Sequence, residues 1–151
     1  MGTNGLQRTS AGDDNGLGVV LKGLAPSELF GLAQEAERNR FRSSWFAEIT
    51  FGDAVTPAAA AAVGTEQLLL VPSIIGIWSR SPVAAALTAS SLAELSGGRL
   101  RFGVGLQAHT YVSDSHGRTF ERPLRAMREY LTIVRRILAG ERSPSRARSS
   151  R

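Results

Sequence analysis

The sequence predicts a parallel α/β fold, because a helix that stops at a glycine pair leads directly into a short buried strand. Alanine and leucine at helical spacing precede Gly97 and Gly98, where a glycine can adopt the left-handed conformation that ends a helix. Residues 100–105 are largely apolar and bounded by glycines, which is typical of a strand covered on both faces. A helix feeding a buried strand is the repeating unit of parallel α/β proteins.

The unit recurs four times along the chain. Strands are predicted at residues 17–22, 43–49, 67–74 and 99–105. Successive units are therefore separated by about 25 to 32 residues. This is near the spacing of a (β/α)₈ barrel, in which roughly 250 residues supply eight units. Four units predict a partial (β/α)₈ barrel. The predicted organisation is a flexible leader over 1–16, a half-barrel over 17–141 and a basic disordered tail over 142–151.

Each predicted helix has its own start or stop signal. The first opens at Pro26 and has an inner stripe that includes Leu29 and Leu32; the second covers 58–63 behind Thr56 as its cap. The third runs from 82 to 96, and a loop over 106–119 leads to the fourth at 120–139. The inner face of the fourth helix is predicted to comprise Leu124, Met127, Leu131, Val134 and Leu138.

Composition excludes several classes of function. The chain has no cysteine, which excludes disulfides, thiolate metal sites and cysteine nucleophiles. No apolar run approaches the ~18–20 residues that span a bilayer, and the first fifteen residues lack the apolar core of a secretory signal. We therefore expect a cytoplasmic protein without membrane contacts.

The positive charge lies at one end of the chain. The net charge is +5, but residues 142–151 contain four arginines and no acid, which leaves 14 basic and 13 acidic residues in the remainder. Such a tail has the composition of disorder and can bind phosphates only weakly and in a salt-dependent way. We expect no specific nucleic-acid partner.

Two side chains stand where the active sites of parallel barrels are built, just beyond the ends of strands. Glu48 ends the second strand, and His109 follows the fourth; the alternative for both is a solvated surface residue. The stretch from Gly103 to Ala108 matches a dinucleotide fingerprint, but no helix is predicted to begin at once after it. His109 and His116 lack a third ligand at regular spacing, so no metal site is expected.

Two sequence segments, whose motifs follow one another in the family's order, resemble the luciferase-like monooxygenases. This superfamily also contains 8-hydroxy-5-deazaflavin-dependent oxidoreductases. The first runs through Ser73-Ile-Ile-Gly-Ile-Trp-Ser-Arg-Ser-Pro82 and the third predicted helix to Gly97-Gly-Arg-Leu-Arg-Phe-Gly-Val-Gly105. The second is Arg122-Pro-Leu-Arg-Ala-Met-Arg-Glu-Tyr-Leu131. Gln107 and His109 look more like the deazaflavin branch. The resemblance covers residues 17–141.

The resemblance implies hydride transfer with a small-molecule substrate and either FMN or an 8-hydroxy-5-deazaflavin coenzyme. It places Glu48 at the acidic position that ends the second strand, near the substrate and the ring. With His109, which lies just beyond a strand end, Glu48 is a predicted catalytic residue. Ser73 and Ile74 fall at a bulge with a non-prolyl cis peptide that backs the cofactor ring. The residues implied to bind the cofactor are Ser73, Ile74, Ile75, Leu106 and Gln107.

The chain departs from the family pattern in three places. Ile49 stands where several deazaflavin enzymes have a histidine, and Gln107 stands where some members have glycine. The second half of the barrel is also missing, so we expect a truncated oxidoreductase with little or no turnover by itself. The alternative is an inactive half-barrel fragment that only self-associates, as a homodimer, or binds a partner.

Overall fold

The computed structural model describes residues 16–49 and 52–141. The predicted leader, apart from Gly16, and the predicted basic tail lie outside these described residues. Within the described ranges, no helix has both the length and the apolarity needed to cross a bilayer. In chain order the elements are β1 Gly18–Leu21, α1 Pro26–Arg38, β2 Ser43–Phe46, α2 Val55–Gly64, β3 Leu69–Pro72, β4 Ile75–Gly76, α3 Pro82–Leu95, β5 Val104–Gly105, α4 His109–His116 and α5 Pro123–Leu138.

All the strand pairs are parallel, and the strands follow one another across the sheet in chain order. β1 pairs with β2 and β2 with β3, which places Val20, Trp45 and Val71 side by side. β4 pairs with β5, and a bridge between Leu70 and Leu100 joins the two groups. Sequential parallel strands with helical crossovers are the arrangement of a (β/α)₈ barrel, so the predicted α/β half-barrel is confirmed.

A bulge interrupts the third predicted strand. Leu70 pairs with Leu100 and Ile75 pairs with Val104, so five residue steps on one strand oppose four on the other. The extra residue lies at Ser73-Ile74, where the peptide bond is cis. The strand predicted at 67–74 is therefore regular only over β3, and the bulge that the resemblance implied at Ser73 and Ile74 separates it from β4. The predicted strand at 99–105 is regular only at β5, although its earlier residues bond to Leu70 and Pro72.

The helices cover one face of the sheet. Leu21, Phe46 and Leu70 are buried against α1 and α2. Val20 and Trp45 lie in register on the other face, where their side chains are 62% and 40% exposed. Parallel strands are usually covered on both faces. This face is open at Val20 and Trp45, whereas Val71, the third residue of the row, is buried.

Four details of the helices differ from prediction. Leu32, predicted to face inward on α1, is exposed because the buried stripe runs through Leu29, Ala33 and Ala36. On α5, Leu124 is 76% exposed, and Tyr130 takes a core position with Val134. The second helix begins at Val55 rather than Ala58; Ala54, not Thr56, is its N-cap, and the Asp53 carboxylate accepts a hydrogen bond from the Thr56 amide in its first turn. The predicted loop at 106–119 contains the helix α4.

Arg99 holds the amino-terminal edge of the sheet together. Its five guanidinium N–H groups reach five acceptors: Nε bonds to the Ser96 carbonyl, and the two terminal nitrogens bond to the Thr65 hydroxyl and to three carbonyls. Those carbonyls belong to Ala62, Thr65 and Leu68. Arg99 therefore joins the end of α2 to the start of the third strand, at the edge opposite the candidate site.

Candidate functional site

Glu48 and Gln107 meet at the carboxyl-terminal edge of the sheet. Glu48 lies two residues beyond the end of β2, and Gln107 lies two beyond the end of β5. Because all the strands are parallel, both residues emerge at the same edge. The Gln107 Nε2 atom donates a hydrogen bond of 3.4 Å to Glu48 Oε1. The structure thus brings together two of the residues that the resemblance nominates.

Three donors converge on one oxygen of the Glu48 carboxylate. The Ser79 hydroxyl lies 2.6 Å from Oε1, and the Gly76 amide lies 3.4 Å from it, in addition to Gln107. No donor from the described part of the chain reaches Oε2. The carboxylate is therefore held by one oxygen, and the other is left for contacts beyond this cluster.

Gln107 has an unusual backbone and an incompletely bonded side chain. Its φ angle is 61°, in the left-handed region that few non-glycine residues adopt. Its carboxamide lies directly over Gly76, so that a Cβ atom at position 76 would collide with it. Its Oε1 atom is buried and has no hydrogen-bond partner among the described residues. A buried acceptor without a donor is costly in a protein, which makes Oε1 a natural contact for a ligand N–H or O–H.

An open cleft of about 280 Å³ lies beside this cluster. Arg80 and Asp53 form an ion pair at its wall, with 2.9 Å between Nη2 and Oδ1. Partial burial opposes ionisation of Asp53, but hydrogen bonds from Thr56 and Val55 and the Arg80 charge outweigh it and lower the pKa of the carboxyl below its ordinary value. The cleft lining combines carboxylates, a guanidinium and hydroxyls, and consists of Glu48, Ile49, Gly52, Asp53, Ser79, Arg80 and Tyr111.

The remaining residues predicted to bind a cofactor have different surroundings. Ser73 and Ile74 form the bulge with the predicted cis peptide bond, and the Ile74 side chain lies over Gly105. The side chain of Ile75 is fully buried in the core, so only its backbone is available to a ligand. Leu106 is half-buried against the cluster of Ile77, Ala85, Ala86, Tyr130 and Val134.

His109 is not among the residues that line the cleft. It is the first residue of α4, it is exposed, and its ring lies edge-on to Phe120 with 5.4 Å between centroids. Tyr111, two residues further along α4, lines the cleft instead. The structure thus does not place His109 beside Glu48, and its catalytic role stays a prediction.

Sequence reasoning missed Ser79, Asp53 and Tyr111. Ser79 lies three residues beyond the end of β4, so the rule that led to Glu48, a polar residue shortly past a strand, also applies to it once β4 is recognised as a separate strand. Asp53 precedes a helix by two residues, where a capping carboxylate is typical. Tyr111 carried no such signal, because its position depends on an unpredicted helix.

The chain is 37% identical over 110 residues to a putative coenzyme F420-dependent oxidoreductase of Mycobacterium tuberculosis, covering 73% of this chain and 32% of that protein. The chain therefore spans about a third of that relative's length.

Two solved structures share the fold. One is a coenzyme F420-dependent tetrahydromethanopterin reductase from Methanopyrus kandleri (TM-score 0.69, 25% identity, 80% of this chain and 39% of that one). The other is the oxygenating constituent of 3,6-diketocamphane monooxygenase from Pseudomonas putida in complex with FMN (TM-score 0.73, 20% identity, 81% of this chain and 39% of that one). Residues 6–149 also match the family model for luciferase-like monooxygenases. The chain belongs to the luciferase-like monooxygenase family.

Proposed function

We propose that the sheet edge around Glu48 and Gln107 is part of an oxidoreductase site that binds coenzyme F420 or FMN and passes hydride to or from a small-molecule substrate. Family membership supports an oxidoreductase, and the names of two relatives point to these cofactors. The single observation that carries the proposal is the Glu48–Gln107 cluster at the carboxyl-terminal strand edge, where barrel enzymes build their sites.

The residues present fit a flavin or deazaflavin ring. Such a ring has N–H groups at its edge, and the buried Oε1 atom of Gln107 is an acceptor without a partner in the described chain. Ile74, which lies over Gly105 at the bulge, provides an apolar surface next to this acceptor. When bound, the ring supplies the hydride chemistry, and the protein supplies position and proton transfer.

Glu48 is the residue we assign to proton transfer. A carboxylate placed beside the reacting group can hold or deliver a proton, which typically accelerates a reaction by about 10²–10⁴-fold. Glu48 borders the cleft and has one oxygen free of donors from the described residues. Arg80 and Asp53, paired across the cleft wall, would orient the polar groups of the substrate.

The open face of the sheet bears on how much activity this chain has alone. Val20 and Trp45 are exposed on the face opposite α1 and α2. A cofactor at the strand edge would be covered on one side only, so we expect weak binding and little or no turnover until further strands close the barrel. The same exposed row favours a second candidate, a half-barrel that only self-associates, since an apolar patch of this kind promotes association.

Titration of the purified chain with coenzyme F420 and, separately, with FMN tests the proposal. We expect binding, followed by cofactor fluorescence, that weakens in Gln107→Ala and not in the exposed control Gln67→Ala. Sedimentation of the same samples measures self-association. Concentration-dependent dimers without binding of either cofactor would favour the second candidate and contradict the oxidoreductase site.

A further inference from the structure

We propose that Ser79 is a positioning residue for Glu48, and that it directs proton exchange to the Oε2 atom of the carboxylate. The inference rests on the function proposed above, in which Glu48 carries a proton. It identifies the carboxylate oxygen that exchanges the proton and the side chain that determines which of the two oxygens does so.

The contacts of Glu48 are unequal at its two oxygens. Oε1 lies 2.6 Å from the Ser79 hydroxyl, the shortest of its three contacts, and the donors at 3.4 Å are the Gly76 amide and the Gln107 side chain. These donors come from two segments: the turn from Gly76 to Ser79 at the end of β4, and the residues after β5. A carboxylate held by two segments at one oxygen has a defined orientation.

The Ser79 hydroxyl has a second acceptor within reach. Its Oγ atom lies 2.8 Å from the Gly76 carbonyl as well as 2.6 Å from Glu48 Oε1. A hydroxyl has a single proton, and an ionised carboxylate is the stronger acceptor, so the proton points to Glu48. The Gly76 carbonyl keeps its bond from the Ser79 amide, at 3.2 Å.

The turn gives Ser79 little freedom to move away. The bond from the Ser79 amide to the Gly76 carbonyl closes the turn after β4. Two residues later the Ser81 hydroxyl caps α3 by accepting from the Ala84 amide at 3.1 Å. The segment is therefore anchored at both ends, and its geometry fixes the position of the Ser79 hydroxyl relative to the sheet edge.

Because donors occupy the lone pairs of Oε1, an arriving proton bonds to Oε2. In that step a substrate O–H or N–H bond breaks, its electron pair stays on the substrate, and the proton forms a new bond to Oε2 of the carboxylate. Delivery of a proton is the reverse. Oε2 has no donor in the described part of the chain, and Glu48 lines the cleft where a substrate would lie.

The test compares Ser79→Ala with Ser79→Thr, which keeps a hydroxyl, and with Ser90→Ala, an exposed serine on α3. The readout is the side-chain conformation of Glu48, measured by three-bond NMR couplings in the chain without cofactor. We expect one conformer in the wild type, Ser79→Thr and Ser90→Ala, and averaging between conformers in Ser79→Ala. A single unchanged conformer in Ser79→Ala would overturn the proposal.

Two further measurements keep the test decisive. In the wild type, the Ser79 hydroxyl proton should show a nuclear Overhauser effect to the Glu48 methylene protons, and this measurement does not depend on the folding of any variant. If the hydroxyl signal is resolved and shows no such effect, the proposal is overturned. Where the cofactor-loaded wild type turns over, Ser79→Ala should lose about ten- to a hundredfold in kcat with KM little changed, and Ser79→Thr should restore it. Little or no turnover by the wild type agrees with the open half-barrel, whereas a wild type that binds neither cofactor contradicts the proposed function alone, since the conformer measurement still decides the role of Ser79.

Discussion

The Glu48 carboxylate and the Gln107 carboxamide are 59 positions apart in sequence and share a hydrogen bond of 3.4 Å at one edge of the sheet. Neither residue lies in a strand; each follows one by two positions. Their contact is a consequence of parallel pairing, which carries the ends of β2 and β5 to the same edge across β3 and β4. The candidate site therefore depends on the sheet order more than on any local motif.

Replacing Glu48 tests its role most simply. Where the cofactor-loaded wild type shows measurable turnover, Glu48→Gln should lower kcat by about 10²–10⁴-fold, because the amide cannot take or deliver a proton. Cofactor binding should change little, since glutamine can still fill the same space. Steady-state kinetics together with fluorescence titration measure both, with the exposed Glu94→Gln on α3 as the matched control. Turnover equal to that of the control would remove Glu48 from the mechanism.

Gly76 and Gln107 should show strong energetic coupling. Gly76→Ala places a Cβ atom where the Gln107 carboxamide lies, so we expect a loss of about 1–3 kcal/mol in the free energy of unfolding. In Gly76→Ala/Gln107→Ala the obstruction is gone, and much of the loss should return. Urea denaturation of the two single variants and the double variant measures this coupling. Strictly additive losses would show that the two side chains do not compete for the same space.

Arg99 should be the most sensitive arginine of the described chain. Arg99→Lys keeps the charge but cannot supply five N–H donors, so buried carbonyls of Ala62, Thr65 and Leu68 lose partners. We expect a loss of about 2–4 kcal/mol in the free energy of unfolding. Thermal and urea denaturation provide the measurement, and Arg128→Lys on the exposed face of α5 is the control. A loss no larger than that of the control would contradict the account of this network.

Glu37 should make the stability of the fold depend on pH. Burial opposes its ionisation, but amide bonds from Gln67, Leu68 and Glu66, with the Arg99 charge, lower the pKa of the carboxyl below its ordinary value of 4.5. The folded state therefore gains stability from this group above pH 4.5, and that gain disappears as the pH falls through the lower, folded-state pKa.

Glu37→Gln removes that contribution. We expect a loss of about 1–2 kcal/mol near pH 7 that shrinks as the solution is acidified below pH 4.5, measured by urea denaturation across the pH range. A loss that stays constant down to pH 2 would show that the amide bonds do not depend on the charge of Glu37.

The sequence predicted the sheet better than its irregularities. Four strands and the helix from Pro82 were recognisable because apolar runs and glycine or proline boundaries are local signals. Helix α4 was missed because Thr110, Val112 and Ser113 have low helix propensity. The structure stabilises it by burying Val112 and ending it at Gly117, whose φ angle is 57°. That glycine was the one local signal available.

The candidate site was predictable in part because the ends of the strands were recognisable from local signals. Glu48 and Gln107 follow strands, and the positional rule of parallel sheets brings them together without knowledge of any contact. The contribution of Ser79 depends on the division of the third strand at the bulge, which is set by the pairing of Ile75 with Val104. Such a register shift is a tertiary effect that strand propensity does not indicate; only the family resemblance placed a bulge at Ser73 and Ile74.

The central claim is that ligands bind at the edge where Glu48 meets Gln107, and backbone amide NMR during titration with coenzyme F420 and, separately, with FMN tests it most directly. The account predicts progressive shifts at Gly76, Ser79 and Gln107, with no change at Leu87 and Leu95 in the apolar groove between α2 and α3. Gln107→Ala should weaken the shifts at Gly76. Shifts confined to that groove, or none at the strand edge at saturating coenzyme, would contradict the account.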